Sequence, residues 1–145
     1  ANPDLKIVVI DPRKTSSCDI ADLHLPVASG SDALLFNGLL RYLQTQTLVD
    51  QSYIERHTEG YADALETAES AEIEGVAQQC RLPLDDLRLF FGWFGEHEKV
   101  MSLYSQGINQ SSSGTDKVNS IINCQRCIKK NILPEVERIG AGLIS

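Results

Sequence analysis

Residues 6–10 read Lys-Ile-Val-Val-Ile and run straight into Asp11-Pro12-Arg13. A continuous β-branched run without polar alternation is the pattern of a strand buried on both faces, and such strands belong to parallel sheets covered by helices. Proline directly after the run ends the ladder, because it has no N–H to contribute. This stretch commits the chain to the α/β class, since a central strand needs a layer above it and a layer below it. An acidic residue just beyond such a strand has two readings. It can take ribose hydroxyls, as in dinucleotide-binding folds, or it can cap the helical turn that follows.

The same order of strand, polar loop and helix recurs twice. Residues 23–27 (Leu-His-Leu-Pro-Val) are short and alternating, and predict a second parallel strand in which His24 is a packed residue. The loop Ala-Ser-Gly-Ser-Asp at 28–32 supplies a glycine for the turn and Ser31 or Asp32 as the cap of the next helix. That helix is predicted over 32–45, with Leu35, Leu39 and Leu43 at four-residue spacing and Phe36 and Leu40 beside them. The third instance is the organising stretch of the chain. Val100, Met101, Leu103 and Tyr104 predict a third strand, residues 105–114 a loop of small and amide residues, and Thr115 the start of a long amphipathic helix reaching Leu133. Gln106, Asn109 and Gln110 donate and accept hydrogen bonds without net charge. Gly107 and Gly114 let the backbone turn and approach a ligand closely. This chemistry suits holding a polar heterocycle rather than cutting a bond; the bland alternative is a soluble connector.

Between the second and third units the pattern is helical. Residues 50–57 predict a short capped helix with Tyr53 and Ile54 inward, and Gly60 closes the following turn. Residues 61–80 predict one helix with Ile73, Val76, Ala77 and Cys80 on one stripe. Pro83 opens another, in which Leu87, Phe90, Phe91 and Phe94 follow the i, i+3, i+4, i+7 pattern of a helix–sheet core. In the long helix the inner side is expected to carry Val118, Ile121, Ile122, Cys124 or Gln125, and Ile128. The fold class expected is α/β, a Rossmann-like three-layer domain with a mainly parallel sheet flanked by helices and one domain over residues 1–145.

Composition limits the partners. The formal charge is −7, which argues against nucleic acid and anionic membranes, because both need basic patches. It leaves room for a phosphate-bearing ligand held by backbone amides. No run approaches a membrane span of about 20 apolar residues, and the start Ala-Asn-Pro-Asp does not resemble a signal peptide. The abrupt start suggests a piece of a longer protein. Cys18, Cys80, Cys124 and Cys127 are expected as reduced thiols. The Cys124/Cys127 pair lies inside a helical pattern, away from the strand-to-helix position of a redox motif, and a metal would need further ligands nearby.

Taken together, VVIDPRKTSSCDIADLHLPVASGSDALLFNGLL, YIERHTEG and KVMSLYSQGINQSSSGTDKVNSIINC resemble the molybdopterin oxidoreductases, and within them the catalytic subunits of bacterial nitrate reductases of the assimilatory type. The resemblance runs almost continuously from Leu5 to Cys124. The YSQGINQSSSGTDK string is its most specific part, whereas the DPR and GSD loops are shared across the wider family, formate dehydrogenases included.

The resemblance implies an internal domain that binds molybdopterin guanine dinucleotide, the carrier of molybdenum, in an enzyme that reduces nitrate to nitrite. By position, Asp11, Pro12, Arg13, Lys14 and Thr15 match the first nucleotide-binding loop and Gly30, Ser31 and Asp32 the second. Gln106, Gly107, Asn109 and Gln110 match the third, toward the pterin. The family's iron–sulfur cysteines and its metal-ligand cysteine are expected outside this segment, so the chain is expected to hold no catalytic or metal-ligating residue and to be inactive alone. The implied partners are the remaining domains of the same enzyme and an electron donor, in the cytoplasm. Residues 125–145 depart from the family's pattern and form a divergent tail. A formate dehydrogenase domain and a non-enzymatic nucleotide-binding or interaction module are the alternatives.

Overall fold

The computed structural model of the chain describes residues 5–97, 99–104 and 114–128. Strand β1 (Val8–Ile10) pairs in parallel with β2 (Leu23–Leu25), with Val8 opposite Leu23 and Ile10 opposite Leu25. A 3₁₀ helix (Ser16–Ile20) makes the crossover. Asp22 locks the entry to the sheet: its carboxylate accepts from the Ile7 N–H at 2.9 Å and faces Lys6 at 3.5 Å. The Ile7 amide, with Lys6 as a lesser cause, holds the Asp22 carboxyl below its ordinary range.

Six α-helices follow among the described residues. Helix α1 (Asp32–Thr45) matches the predicted bounds, and Leu35, Leu39 and Leu43 are fully buried. It is the hub against which α3 (Tyr61–Ala68), α4 (Ile73–Cys80), α5 (Leu84–Glu96) and α6 (Gly114–Cys127) pack. Helix α2 (Gln51–His57) is capped by Asp50, whose carboxylate accepts from the Tyr53 N–H at 2.9 Å; Ile54 is buried and Tyr53 half-buried. Helix α5 (Leu84–Glu96) begins just after Pro83 and buries Leu87, Phe90, Phe91 and Phe94. Helix α6 (Gly114–Cys127) buries Ile121, Cys124 and Cys127, with Ile128 beyond its end. Val118, Ile122 and Gln125 are half-buried on its flank.

Three expectations are corrected. The single helix over 61–80 is two helices, α3 (Tyr61–Ala68) and α4 (Ile73–Cys80). The turn between them is closed by Ala71 N–H to Ala68 O at 2.9 Å, which buries both alanines, and the change of direction lets both helices reach α1. The third strand is the second. Residues 100–104 keep the alternation of a strand, with Met101 and Leu103 exposed and Val100 and Tyr104 packed on the core, yet they pair with no strand among the described residues. The sheet described therefore has two strands, too narrow for the three-layer arrangement expected. The long helix expected to reach Leu133 ends at Cys127, because Ile128 pairs in an isolated antiparallel bridge with Val49; residues 129–145 lie outside the described residues.

The α1–α4 crossing depends on Gly38. A Cβ there would meet Val76 Cγ2 at 2.7 Å and Cγ1 at 3.3 Å. Gly38→Ala is expected to lower stability by about 1–2 kcal/mol, the overpacking cost less the helix-propensity gain. Adding Val76→Ala should restore part of that loss, so urea unfolding of the four chains should be non-additive by about 1 kcal/mol.

Candidate functional site

Because β1 and β2 are parallel neighbours, the loops that follow them open on the same edge of the sheet. In the first loop, Asp11 accepts from the Arg13 N–H at 2.7 Å through Oδ1, and the Arg13 Nε lies 3.8 Å from the same oxygen. This local turn leaves Pro12, Arg13 and Lys14 exposed and Thr15 half-buried. The Asp11 backbone extends the ladder, its N–H donating to Leu25 O at 3.2 Å. His24 Nε2 lies 2.9 Å from Asp11 O; a carbonyl only accepts, so Nε2 carries the proton. His24 thus pins the loop to the sheet, as its reading as a packed residue anticipated.

In the second loop Gly30 takes φ +87°, a left-handed conformation that glycine adopts without strain, and no atom lies within 4 Å of where a Cβ would stand. Ser31 occupies the cap position of α1, but its hydroxyl turns back to donate to Ala28 O at 2.6 Å. Ala28 N–H donates to Cys80 O at 2.9 Å, and the Cys80 thiol donates to Ser31 O at 3.8 Å, so the end of α4 backs the loop. Asp32 opens α1. Its Oδ2 lies 2.8 Å from Lys117 Nζ, with the lysine side chain 7% exposed and the aspartate 20%.

Gln106, Gly107, Asn109 and Gln110 lie outside the described residues. The helix that follows them is described, and Lys117 in its first turn meets Asp32. Lys117 was not singled out from the sequence, yet a signal was present. Positions 117, 121 and 124 fall on the buried stripe of α6, and a lysine on that stripe needs a carboxylate partner. An open cleft of about 210 Å³ runs between α1, α3 and α6, lined by Ala33, Asn37, Ala64, Thr67, Asn119 and Asn123 among others. It contains none of the loop residues, and a shallow open cleft of this kind encloses too little of a ligand to compete with the sheet edge as a candidate site.

The cysteines are free and buried. Cys124 donates to Phe36 O at 3.1 Å. Burial pushes its thiol well above the ordinary range, and the neighbouring Cys127 adds to this. Burial also raises Cys127 to about 11. The thiolate is the reactive form, so these are packing residues of the α1–α6 contact. In the folded chain at pH 8, iodoacetamide should label Cys124 and Cys127 at least about 100-fold more slowly than in urea, as read by mass spectrometry. Labelling at the unfolded rate would show that α6 is not packed as described.

The sequence over residues 1–137 matches the family model described as molybdopterin oxidoreductase. The chain belongs to the molybdopterin oxidoreductase family. It is 42% identical over 122 residues to a nitrate reductase of Klebsiella oxytoca, covering 84% of the chain and 14% of that protein. It is 32% identical over 116 residues to the assimilatory nitrate reductase catalytic subunit of Bacillus subtilis, covering 80% and 16%. A subunit named F420-dependent formate dehydrogenase 2 alpha, from Methanococcus maripaludis, is 29% identical over 118 residues, covering 81% and 18%. Among solved structures, acetylene hydratase from Pelobacter acetylenicus superposes with a TM-score of 0.79 at 20% identity over 88% of this chain and 18% of that one, a likeness of fold. The molybdopterin oxidoreductase segment described here thus spans 14% to 18% of the length of these relatives. No helix among its described residues is long and apolar enough to cross a membrane.

Proposed function

We propose that this chain is the part of a molybdenum-dependent nitrate reductase that holds a molybdopterin guanine dinucleotide. One observation carries the reading: two loops on one sheet edge each present a carboxylate paired with a cation, Asp11 with the exposed Arg13 and Asp32 with the buried Lys117, and the second loop adds the unobstructed Gly30. An ionised carboxylate is an acceptor for paired N–H groups, which suits Asp32 to the guanine edge. Asp11 takes ribose hydroxyls. Arg13 offers a planar fork for phosphate or for stacking on a base, and Lys14 a point charge for phosphate. Pro12 and Thr15 shape the first loop; Gly30 and Ser31 let backbone approach the nucleotide closely. Gln106, Gly107, Asn109 and Gln110 are assigned to the pterin by the match of their sequence to the family's third loop. When bound, the cofactor's molybdenum supplies the two-electron change by which nitrate becomes nitrite.

The same reading has further consequences. In the longer enzyme the sheet is widened into a Rossmann-like three-layer domain. The iron–sulfur cluster, the metal ligand and the electron-donor contacts lie outside this segment, and the enzyme is cytoplasmic. The chain alone binds nucleotide without reducing nitrate. A formate dehydrogenase domain is the second reading, supported by the 29% identical relative. A third is a non-enzymatic nucleotide-binding or interaction module, since a fold alone does not fix function.

Calorimetry with GMP and AMP tests the proposal on the chain itself. The expected result is heat with GMP and affinity for AMP weaker by about tenfold or more, because adenine presents an acceptor where guanine presents N1–H. Equal affinity for both bases, or no GMP binding at millimolar concentration, would overturn the guanine role.

A further inference from the structure

We propose that Lys117 acts through Asp32 as a charge-compensating clamp that holds the second loop and the start of α6 as one unit. Burying an ammonium is costly unless it is paired in good geometry. The 2.8 Å contact to Asp32 Oδ2, with Lys117 on the inner stripe beside Ile121 and Cys124, meets that condition. The other ties of this loop run through Ala28, Ser31 and Cys80, and none of them reaches the Asp32 carboxylate. Among the described residues the lysine is what fixes where that carboxylate stands.

The consequence for a ligand rests on the nucleotide-binding reading above. The chain carries −7, yet the carboxylates of both loops at this edge have a cation of their own, Arg13 at 3.8 Å and Lys117 at 2.8 Å. Lys14 has no ion-pair partner among the described residues. An uncompensated carboxylate would repel an incoming phosphate. A compensated one still accepts: a carboxylate has about four lone-pair sites, and Nζ occupies one of them. Asp32 can therefore keep its lysine and receive two N–H donors. Lys117 is on this account a positioning residue that lets an anionic guanine nucleotide approach the loop.

The test uses the 145-residue chain and its Lys117→Met, Lys117→Arg, Asp32→Asn and Asp32→Asn/Lys117→Met variants. Amide hydrogen exchange at residues 28–35 and 114–121 should accelerate about tenfold or more in Lys117→Met, return to within about threefold of the parent in Lys117→Arg, and leave α5 unchanged. GMP affinity should fall about tenfold in Lys117→Met and recover in Lys117→Arg. Lys117→Met should cost less than about twofold when Asp32 is already Asn, the coupling expected of a residue acting through its partner. Exchange that is unchanged, or raised equally in α5, would overturn the clamp. So would a Lys117→Met loss of GMP affinity that is the same with and without the Asp32 carboxylate. Local acceleration in a chain that takes no GMP would uphold the clamp and remove the nucleotide reading alone.

Discussion

Asp32→Ala is expected to lower the unfolding free energy by about 3 kcal/mol, because it strands a buried ammonium. Lys117 is 7% exposed in its side chain and has Asp32 as its ion-pair partner at 2.8 Å. For a chain of 145 residues this loss corresponds to a fall in Tm of about 10 °C. Asp32→Asn should cost less than half as much, since the amide oxygen still accepts from Nζ. Combining Asp32→Ala with Lys117→Met should restore most of the stability, because it removes the charge rather than orphaning it. Thermal unfolding of the four chains separates these cases. Near-parental stability in Asp32→Ala would mean that the lysine reaches water easily and that the pair is ornamental.

This pair marks where the sequence stopped being legible. Helix α1 could be read to its ends because one stripe of leucines and a polar start and stop agree. The aromatic stripe of α5 was equally plain, with all four predicted residues buried. The break between α3 and α4 was not, since Glu69, Ser70, Ala71 and Glu72 include no glycine or proline. It comes from two helices having to reach one hub, a tertiary demand that local propensity does not encode. Residues 100–104 show the converse. Their alternation is a strand's, but a strand is defined by its neighbour, and the described residues offer none. For the candidate site, the first two loops were legible because parallel pairing places both on one edge whatever their side chains do. The partner of Asp32 was not, because which carboxylate meets a buried lysine 85 residues away depends on how α6 lies across α1.

Phe91→Ala should be the most damaging change among the core residues, at about 3–5 kcal/mol. Phe91 is fully buried on α5, with its ring 5.5 Å from Tyr42 on α1 and 5.7 Å from Phe90. It stands in the layer that joins α5 to α1, and α5 also lies against β2. Its loss leaves a cavity between elements that cannot close without moving the sheet. Phe91→Leu keeps most of the volume and should cost about 1.5 kcal/mol or less. Urea unfolding gives both values, and hydrogen exchange adds a test of position. If α5 backs the sheet edge, Phe91→Ala should raise exchange in β2 and in the loop at 28–32 along with α5, whereas Lys117→Met should leave α5 protected. The two variants would then weaken the same loop from opposite sides, one through its sheet and one through its carboxylate. A Phe91→Ala chain whose loop stays as protected as the parent's would show that the second loop is held by α4 and α6 alone.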